Sequence, residues 1–246
     1  MRHFALIGRT LAHSHSKQLF DAQRFAGADY RLCELPSVEG LREWARREGL
    51  DGFNVTLPYK RLVLAQLDAL SPEAAAIGAV NCVVVDRSDG RLTGYNTDAP
   101  AFADTLDASG FAPVQAYILG TGGAARAVAY ALGQRGVPCR HVSRHPAQYA
   151  GAIGYGRLGG MALPAGTLLV NATPVGMSPL ADAAPLDLAG CRFTWHGSML
   201  YDLIYNPSPT LLMRQAAAMG AKVVDGSAML RRQAELSWHL FGLQTS

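Results

Sequence analysis

Tyr117-Ile-Leu-Gly-Thr-Gly-Gly-Ala-Ala-Arg126 is the stretch that decides the fold of this chain. Three apolar residues run into Gly120, followed by Gly122, Gly123 and the small Ala125, and then a helical pattern begins. The expectation is a strand, a tight turn and a helix start. The spacing fits G-x-G-x-x-G/A, the turn that lays a pyrophosphate on a helix N-terminus. The plain alternative is a strand-to-helix connection that uses glycine only for positive φ. Position adds to content. More than a hundred residues precede the turn, so another unit is built first, and that unit is expected to hold the substrate.

Cys139-Arg-His-Val-Ser-Arg144 reads as the next strand of the same unit, with a polar end. A site for NAD usually carries Asp or Glu there, accepting a bond from the ribose 2'-hydroxyl. This chain carries Ser143 and Arg144. A carboxylate repels a 2'-phosphate, whereas a guanidinium binds one through two charge-assisted bonds. The pattern therefore favours NADP over NAD. The alternative for Arg144 is a solvated surface arginine.

The 246 residues suit one large domain or two modest ones, and 49% hydrophobic content supports a real core. The formal charge of +3 is too small and too dispersed to favour nucleic acid or an anionic membrane as partner. Cys33, Cys82, Cys139 and Cys191 lie far apart with no C-x-x-C, which speaks against a zinc knuckle and for free thiols in a reducing cytoplasm. His13 and His15 sit at i and i+2, but no nearby carboxylate or cysteine completes a metal set, so no metal site is expected. The opening apolar run is too short for a signal peptide, and no stretch is long enough to span a bilayer.

Strands and helices alternate along the chain. Strands are expected at Phe4–Gly8, Tyr30–Leu35, Gly52–Thr56, Ala79–Val85 and Arg91–Tyr95. Helices are expected at Lys17–Ala26, Val38–Glu48, from Pro58 through Leu67, and from the Ser71-Pro72-Glu73 cap. A helix over Asp98–Ala108 leads to strands at Gln115–Leu119, Pro138–Val142, Thr167–Val170, Leu200–Leu203 and Lys222–Val224. Gly151–Gly160 reads as a glycine-rich loop, and Met229–Phe241 as a long apolar helix that must pack on something. Alternation of this kind predicts an α/β fold. The division is residues 1–98 plus 229–246 as an N-terminal α/β substrate domain, and 99–228 as a Rossmann-like NADP-binding domain, with the C-terminal helix returning to the first.

Four polar clusters precede the glycine turn. Ser14 and Ser16 flank His15 in the loop after the first strand, where one of them can equally be a helix cap. Asn54 and Thr56 end the third strand, the end at which open α/β sheets bind ligands, and Lys60 follows a proline-stiffened turn, where taken alone it reads as a solvated surface lysine. Gly78-Ala-Val-Asn81 and Asn96-Thr-Asp98 complete the set, with a plain N-cap as the alternative for Asp98.

Taken together, these clusters resemble the shikimate dehydrogenase family over nearly the whole chain. The matching motifs are His13-Ser-His-Ser16, Asn54-Val-Thr-Leu-Pro-Tyr-Lys60, Ile77-Gly-Ala-Val-Asn81 and Asn96-Thr-Asp98. They continue with Gly120-Thr-Gly-Gly-Ala124, Asn171-Ala-Thr-Pro-Val-Gly-Met177, Tyr201-Asp-Leu-Ile-Tyr-Asn-Pro207, and Asp225-Gly226 with Gln233. The likeness is to the compact, short-tailed members. It implies an NADP-dependent, reversible reduction of 3-dehydroshikimate to shikimate, on the route to chorismate and the aromatic amino acids. By the same resemblance Lys60 and Asp98 are the catalytic pair. Ser14, Ser16, Thr56, Asn81 and Gln233 hold the substrate's hydroxyls and carboxylate, and Tyr205 closes over it. Gly120, Gly122, Gly123 and Ala124 cradle the pyrophosphate, Ser143 and Arg144 select the 2'-phosphate, and Thr173 and Gly226 lie near the dinucleotide. Three positions depart from the family's pattern: Lys17, Cys82 and Ala228.

The chemistry suits these residues. Reducing a ring ketone needs a hydride, which NADPH carries, and charge or a proton for the growing alkoxide. An ammonium aimed at that oxygen stabilises the transition state more than the ketone. Proton donor and electrostatic stabiliser are both open to Lys60 at this level. Rival readings are a quinate- or aminoshikimate-type dehydrogenase, a non-catalytic ligand sensor, and a Rossmann-type methyltransferase, which Arg144 disfavours. The partner is a small molecule, and the protein is expected to be a cytoplasmic monomer or homodimer.

Overall fold

Phe4, Ala5, Leu6 and Ile7 are all buried, and their side chains alternate between two cores. Such an unbroken apolar run belongs to a strand covered on both faces. In the computed structural model this strand is β1 (Arg2–Gly8), and the structure describes residues 1–12 and 14–244. His13, which opens the His13–Ser16 motif, lies outside the described residues, as do the last two.

The chain divides into two compact units, Met1–Ala101 with Arg231–Ser246, and Phe102–Leu230. The first unit adds β2 (Ala28–Glu34), β3 (Gly52–Val55), β4 (Ala69–Leu70), β5 (Cys82–Val85) and β6 (Leu92–Tyr95). Its six strands run in the order β2-β1-β3-β5-β6-β4. The first three are parallel, while β5 and β6 form an antiparallel hairpin beside β3. Ala5, Ile7, Phe53, Val55 and Val83 face helix α2 (Leu41–Arg47) and helix α3 (Pro72–Ile77). The Ser71 hydroxyl caps α3 by accepting from the Ala74 N–H.

Phe4, Leu6, Tyr30 and Cys82 face the other way. They meet Phe20 of α1 (Ser16–Gln23) and Ala234, Trp238 and Phe241 at the C-terminal helix α8 (Ser227–Leu240). Phe241 stacks on Phe4 with ring centroids 4.6 Å apart. A Cβ added at Gly52 would come within 2.5 Å of the Phe241 ring, so glycine there makes room for it. Burying a large apolar side chain contributes about 1.5–3 kcal/mol. This is why the last helix returns to the first unit.

The second unit holds β7 (Gln115–Leu119), β8 (Cys139–Ser143), β9 (Ile153–Gly154), β11 (Thr167–Asn171), β13 (Met199–Asp202) and β14 (Lys222–Val224). These strands are all parallel, in the order β14-β13-β11-β7-β8-β9. Counted from β7 the order is 3-2-1-4-5-6, that of a Rossmann sheet, with its switch point between β7 and β11. A small parallel pair, β10 (Ala162–Leu163) and β12 (Arg192–Phe193), stands apart from it. Helix α4 (Asp98–Ala108) leads into this unit, and α5 (Gly123–Gln134), α6 (Tyr155–Gly160) and α7 (Leu211–Ala218) belong to it.

Two expectations are corrected. Gly151–Gly160 is not a loop but contains β9 and α6. Ile153 pairs with Val142, and Ile153 and Leu158 are buried in the core. Burial of those apolar residues overrides the low propensity of glycine. The helix expected through Leu67 is a 3-10 turn over Leu62–Gln66, which ends where Leu67 turns extended ahead of β4. Among the described residues, no helix is long and apolar enough to cross a membrane.

Candidate active site

Lys60 sits on a turn that is fastened at several points. The Tyr59 side chain is buried and its hydroxyl donates to the Leu35 carbonyl. The Lys60 carbonyl accepts from the Val80 N–H at 2.7 Å. These contacts fix the backbone and leave the lysine side chain to be aimed. Its Nζ lies 2.6 Å from Asp98 Oδ2, with side-chain exposures of 17% and 6%. In so dry a place a charge-assisted bond is stronger than on the surface.

Asp98 opens α4 but does not cap it. Asn96 does that, its Oδ1 accepting from the Ala99 N–H at 3.1 Å. The Asp98 carboxylate is thereby free for tertiary contacts. Its Oδ1 accepts from Asn81 Nδ2 at 2.9 Å while Oδ2 holds the lysine. Asn81 also donates to Thr97 Oγ1 at 2.9 Å and reaches Gln233 Oε1 at 3.4 Å. Its own Oδ1 accepts from the Thr97 N–H at 2.7 Å. Lys60, Asp98, Asn81 and Gln233, expected from the sequence, thus form one connected cluster within the first unit.

Behind it lies a second layer, in which the sequence singles out Asn54 and the Asn96-Thr-Asp98 motif but gives no sign of Ser237. Thr97 Oγ1 lies 3.2 Å from Ser237 Oγ, which accepts from Asn54 Nδ2 at 2.8 Å. Asn54 Oδ1 in turn accepts from the Tyr30 hydroxyl at 2.8 Å. Asn54 is therefore a buried brace between β3 and α8 rather than an open ligand. Cys82 belongs to the same layer. Burial pushes its thiol up to about 12, against a hydrogen bond with Ser237 that lowers it. Cys82 is therefore a core residue.

The loops after β1 and β3 pack together. A Cβ at Gly8 would lie 2.7 Å from Leu11 and 2.8 Å from the Thr56 methyl, so glycine allows the approach. The Thr56 N–H donates to the Ile7 carbonyl at 2.9 Å. Ser14 follows in this loop and Ser16 opens α1, both half-buried, and the Ser14 hydroxyl accepts from the Ser16 N–H at 3.3 Å. Lys17 lies in the first turn of α1 and pairs with Asp21 at 2.7 Å on its exposed face.

In the second unit the glycine turn follows β7 at the switch point, where open α/β sheets bind ligands. Gly120 has φ +108°, and a Cβ there would meet the Ala172 carbonyl at 3.2 Å and Thr173 at 3.3 Å. Gly122 caps the twelve-residue helix α5 without a side chain, and a Cβ added to it would meet nothing within 4 Å. Ala124 is half-buried, whereas Gly123 and Ala125 are buried against the sheet. The turn thus leaves open space beside Gly122 at a positive helix end without a side-chain cap, which fits a dinucleotide pyrophosphate.

Arg144 is exposed at the end of β8 and forms no ion pair among the described residues. Ser143 is buried and its hydroxyl accepts from the His145 N–H at 3.0 Å. The Thr173 hydroxyl is turned onto Asn171 Oδ1 at 2.7 Å. Gly226 is tightly constrained, since a Cβ there would fall 2.1 Å from the Leu203 carbonyl oxygen. Tyr205 lies just past β13, half-buried, and Ala228 is exposed at the start of α8. No cluster of His, Cys, Asp or Glu among the described residues is arranged to hold a metal.

A Rossmann-ordered sheet with an open glycine turn, joined to an α/β unit that carries a partly buried lysine–aspartate pair, defines a two-domain, dinucleotide-dependent oxidoreductase. Residues 6–83 match the family model of the shikimate dehydrogenase substrate binding domain. A shikimate dehydrogenase (NADP(+)) of Thermus thermophilus is 39% identical over 255 aligned residues, covering 98% of this chain and 92% of that protein. The solved structure of shikimate dehydrogenase 1 from Peptoclostridium difficile matches with a TM-score of 0.87 at 33% identity, covering 98% of this chain and 92% of that one. Shikimate 5-dehydrogenase from Thermus thermophilus, solved in complex with NADP(H) and shikimate, gives 0.83 at 36% identity, covering 100% and 95%. The chain belongs to the shikimate dehydrogenase family.

Proposed function

We propose that the protein is an NADP-dependent shikimate dehydrogenase, reversibly reducing 3-dehydroshikimate to shikimate on the route to chorismate and the aromatic amino acids. The observation that carries this reading is the Lys60–Asp98 pair, 2.6 Å apart and braced by Asn81, in a chain whose relatives bear that name.

NADPH, when bound, supplies the hydride. Lys60 presents its ammonium to the carbonyl oxygen, where negative charge grows as the ketone becomes an alkoxide. Asp98 holds the ammonium through Oδ2 and accepts a substrate hydroxyl. Asn81 keeps the carboxylate from rotating. Ser14, Ser16, Thr56, Asn81 and Gln233 bind the remaining hydroxyls and the carboxylate, and Tyr205 is assigned to the substrate as well. Gly120, Gly122, Gly123 and Ala124 would hold the pyrophosphate, Ser143 and Arg144 the 2'-phosphate, with Thr173 and Gly226 beside the dinucleotide. Four free, dispersed cysteines suit a reducing compartment, and we assign the enzyme to the cytoplasm as a monomer or homodimer acting on a small molecule.

Initial rates with shikimate or quinate, each with NADP+ or NAD+, test the reading. Shikimate with NADP+ is expected to have the highest kcat/KM. Preference for quinate would assign the protein to the sister activity, and binding without turnover would make it a sensor.

A further inference from the structure

Gly120 directly follows β7, and both of its backbone polar groups are tied to the neighbouring strand. Its N–H donates to the Val142 carbonyl at 2.9 Å. Its carbonyl oxygen lies 2.9 Å from Nδ1 of His141. A carbonyl only accepts, so Nδ1 carries the proton of that bond. His141 is opposite Ile118 in the parallel register and half-buried. Two residues earlier, Cys139 Sγ points to the Ala129 carbonyl of α5, so the imidazole lies on the α5 face of the sheet.

The peptide between Gly120 and Thr121 is planar, with its C=O and N–H pointing in opposite directions. Fixing the Gly120 oxygen therefore fixes the aim of the Thr121 N–H, the first amide of the glycine turn. The other side of Gly120 is walled off by Ala172 and Thr173, 3.2 and 3.3 Å from where a Cβ would stand. The bond from the imidazole therefore holds this peptide in the orientation it has.

We propose that His141 is a positioning residue for the dinucleotide, holding the Gly120–Thr121 peptide so that the turn's amides are aimed at the pyrophosphate before it arrives. His141 lies outside every motif on which the family resemblance rests. The proposal rests on the reading of this turn as the dinucleotide site. It separates His141 from Arg144, since the pyrophosphate is common to NADPH and NADH whereas the 2'-phosphate is not.

The test is the dissociation constant of NADPH, NADH and shikimate for the full-length protein and for His141→Leu and His141→Asn. Leucine keeps the bulk without a donor, and asparagine returns an N–H near the place of Nδ1. Losing one hydrogen bond predicts roughly fivefold weaker binding of both dinucleotides by His141→Leu. Shikimate binding should not change, and His141→Asn should bind both dinucleotides like the wild type. Should the leucine variant fail to fold, as judged by circular dichroism, His141→Ala takes its place with the same expected loss. Unchanged binding, loss of NADPH alone, or an asparagine variant as weak as leucine would overturn the role. A wild type that binds neither dinucleotide would overturn the reading of the turn itself, and the proposal with it.

Discussion

Lys60 and Asp98 are 38 residues apart in the chain and in direct contact in the fold. Both stand out in the sequence as polar residues near strand ends and a proline-stiffened turn, but their pairing comes from the family resemblance and not from those signals alone. Ser237 and His141 do not stand out. Their roles depend on what tertiary packing sets against them; Ser237 meets Thr97 from 140 residues away. Asn54 reads from the sequence as polar and at a strand end, but its burial between Tyr30 and Ser237 makes it a brace. Arg144, exposed and without an ion pair among the described residues, gives a prediction at this scale. Arg144→Ala should weaken NADPH binding by about tenfold or more, the scale of a charge-assisted pair, while leaving NADH nearly unchanged. Fluorescence titration with each cofactor checks it. Equal loss for both would mean that Arg144 does not read the 2'-phosphate.

Elements with clear periodicity, from β1 to α8, fall within a few residues of where the sequence pattern puts them. The misses come where packing competes with propensity. The glycines of 151–160 suggest a loop, yet Ile153 and Leu158 reach the core and order a strand and a helix there. Within Leu62–Gln66 only Val63 is buried, and the chain makes a 3-10 turn there instead of a helix. The C-terminal helix yields the prediction for elements. Phe241→Ala removes the ring that stacks on Phe4 and fills the space beside Gly52. A cavity of that kind costs about 3–5 kcal/mol. Urea denaturation should show the midpoint falling accordingly. Loss below about 1 kcal/mol would mean that the helix end does not anchor the first unit.

At the scale of the molecule, alternation of strands and helices points to the fold class, but strand order needs the structure. Hydrophobic pattern does not tell which strand lies beside which. The order places Asp202 at the end of β13, fully buried. Burial pushes its carboxyl up to about 6, against bonds from Thr210, the Ile204 N–H and Asn171. The folded state therefore binds more protons than the unfolded one between about pH 4 and pH 6, and this contribution to stability is lost as pH rises through that window. Relative to wild type, Asp202→Asn should gain about 3 kcal/mol between about pH 4 and pH 7. Denaturation across that range checks it, and a difference that does not change with pH would refute it. Asp51 pulls the other way in both proteins. Burial raises its carboxyl, but Arg87 and the His3 N–H more than offset this and hold it below the usual range. The comparison of the two proteins isolates Asp202.

The most direct test of the catalytic pair is the rate of NADP+ reduction by shikimate, followed by absorbance, in wild type and Lys60→Ala, with shikimate affinity measured alongside. The account predicts ready turnover in the wild type and a loss of about 100-fold or more in the variant, with shikimate bound nearly as well. A variant that turns over at the wild-type rate, or a wild type that does not oxidise shikimate, would contradict it.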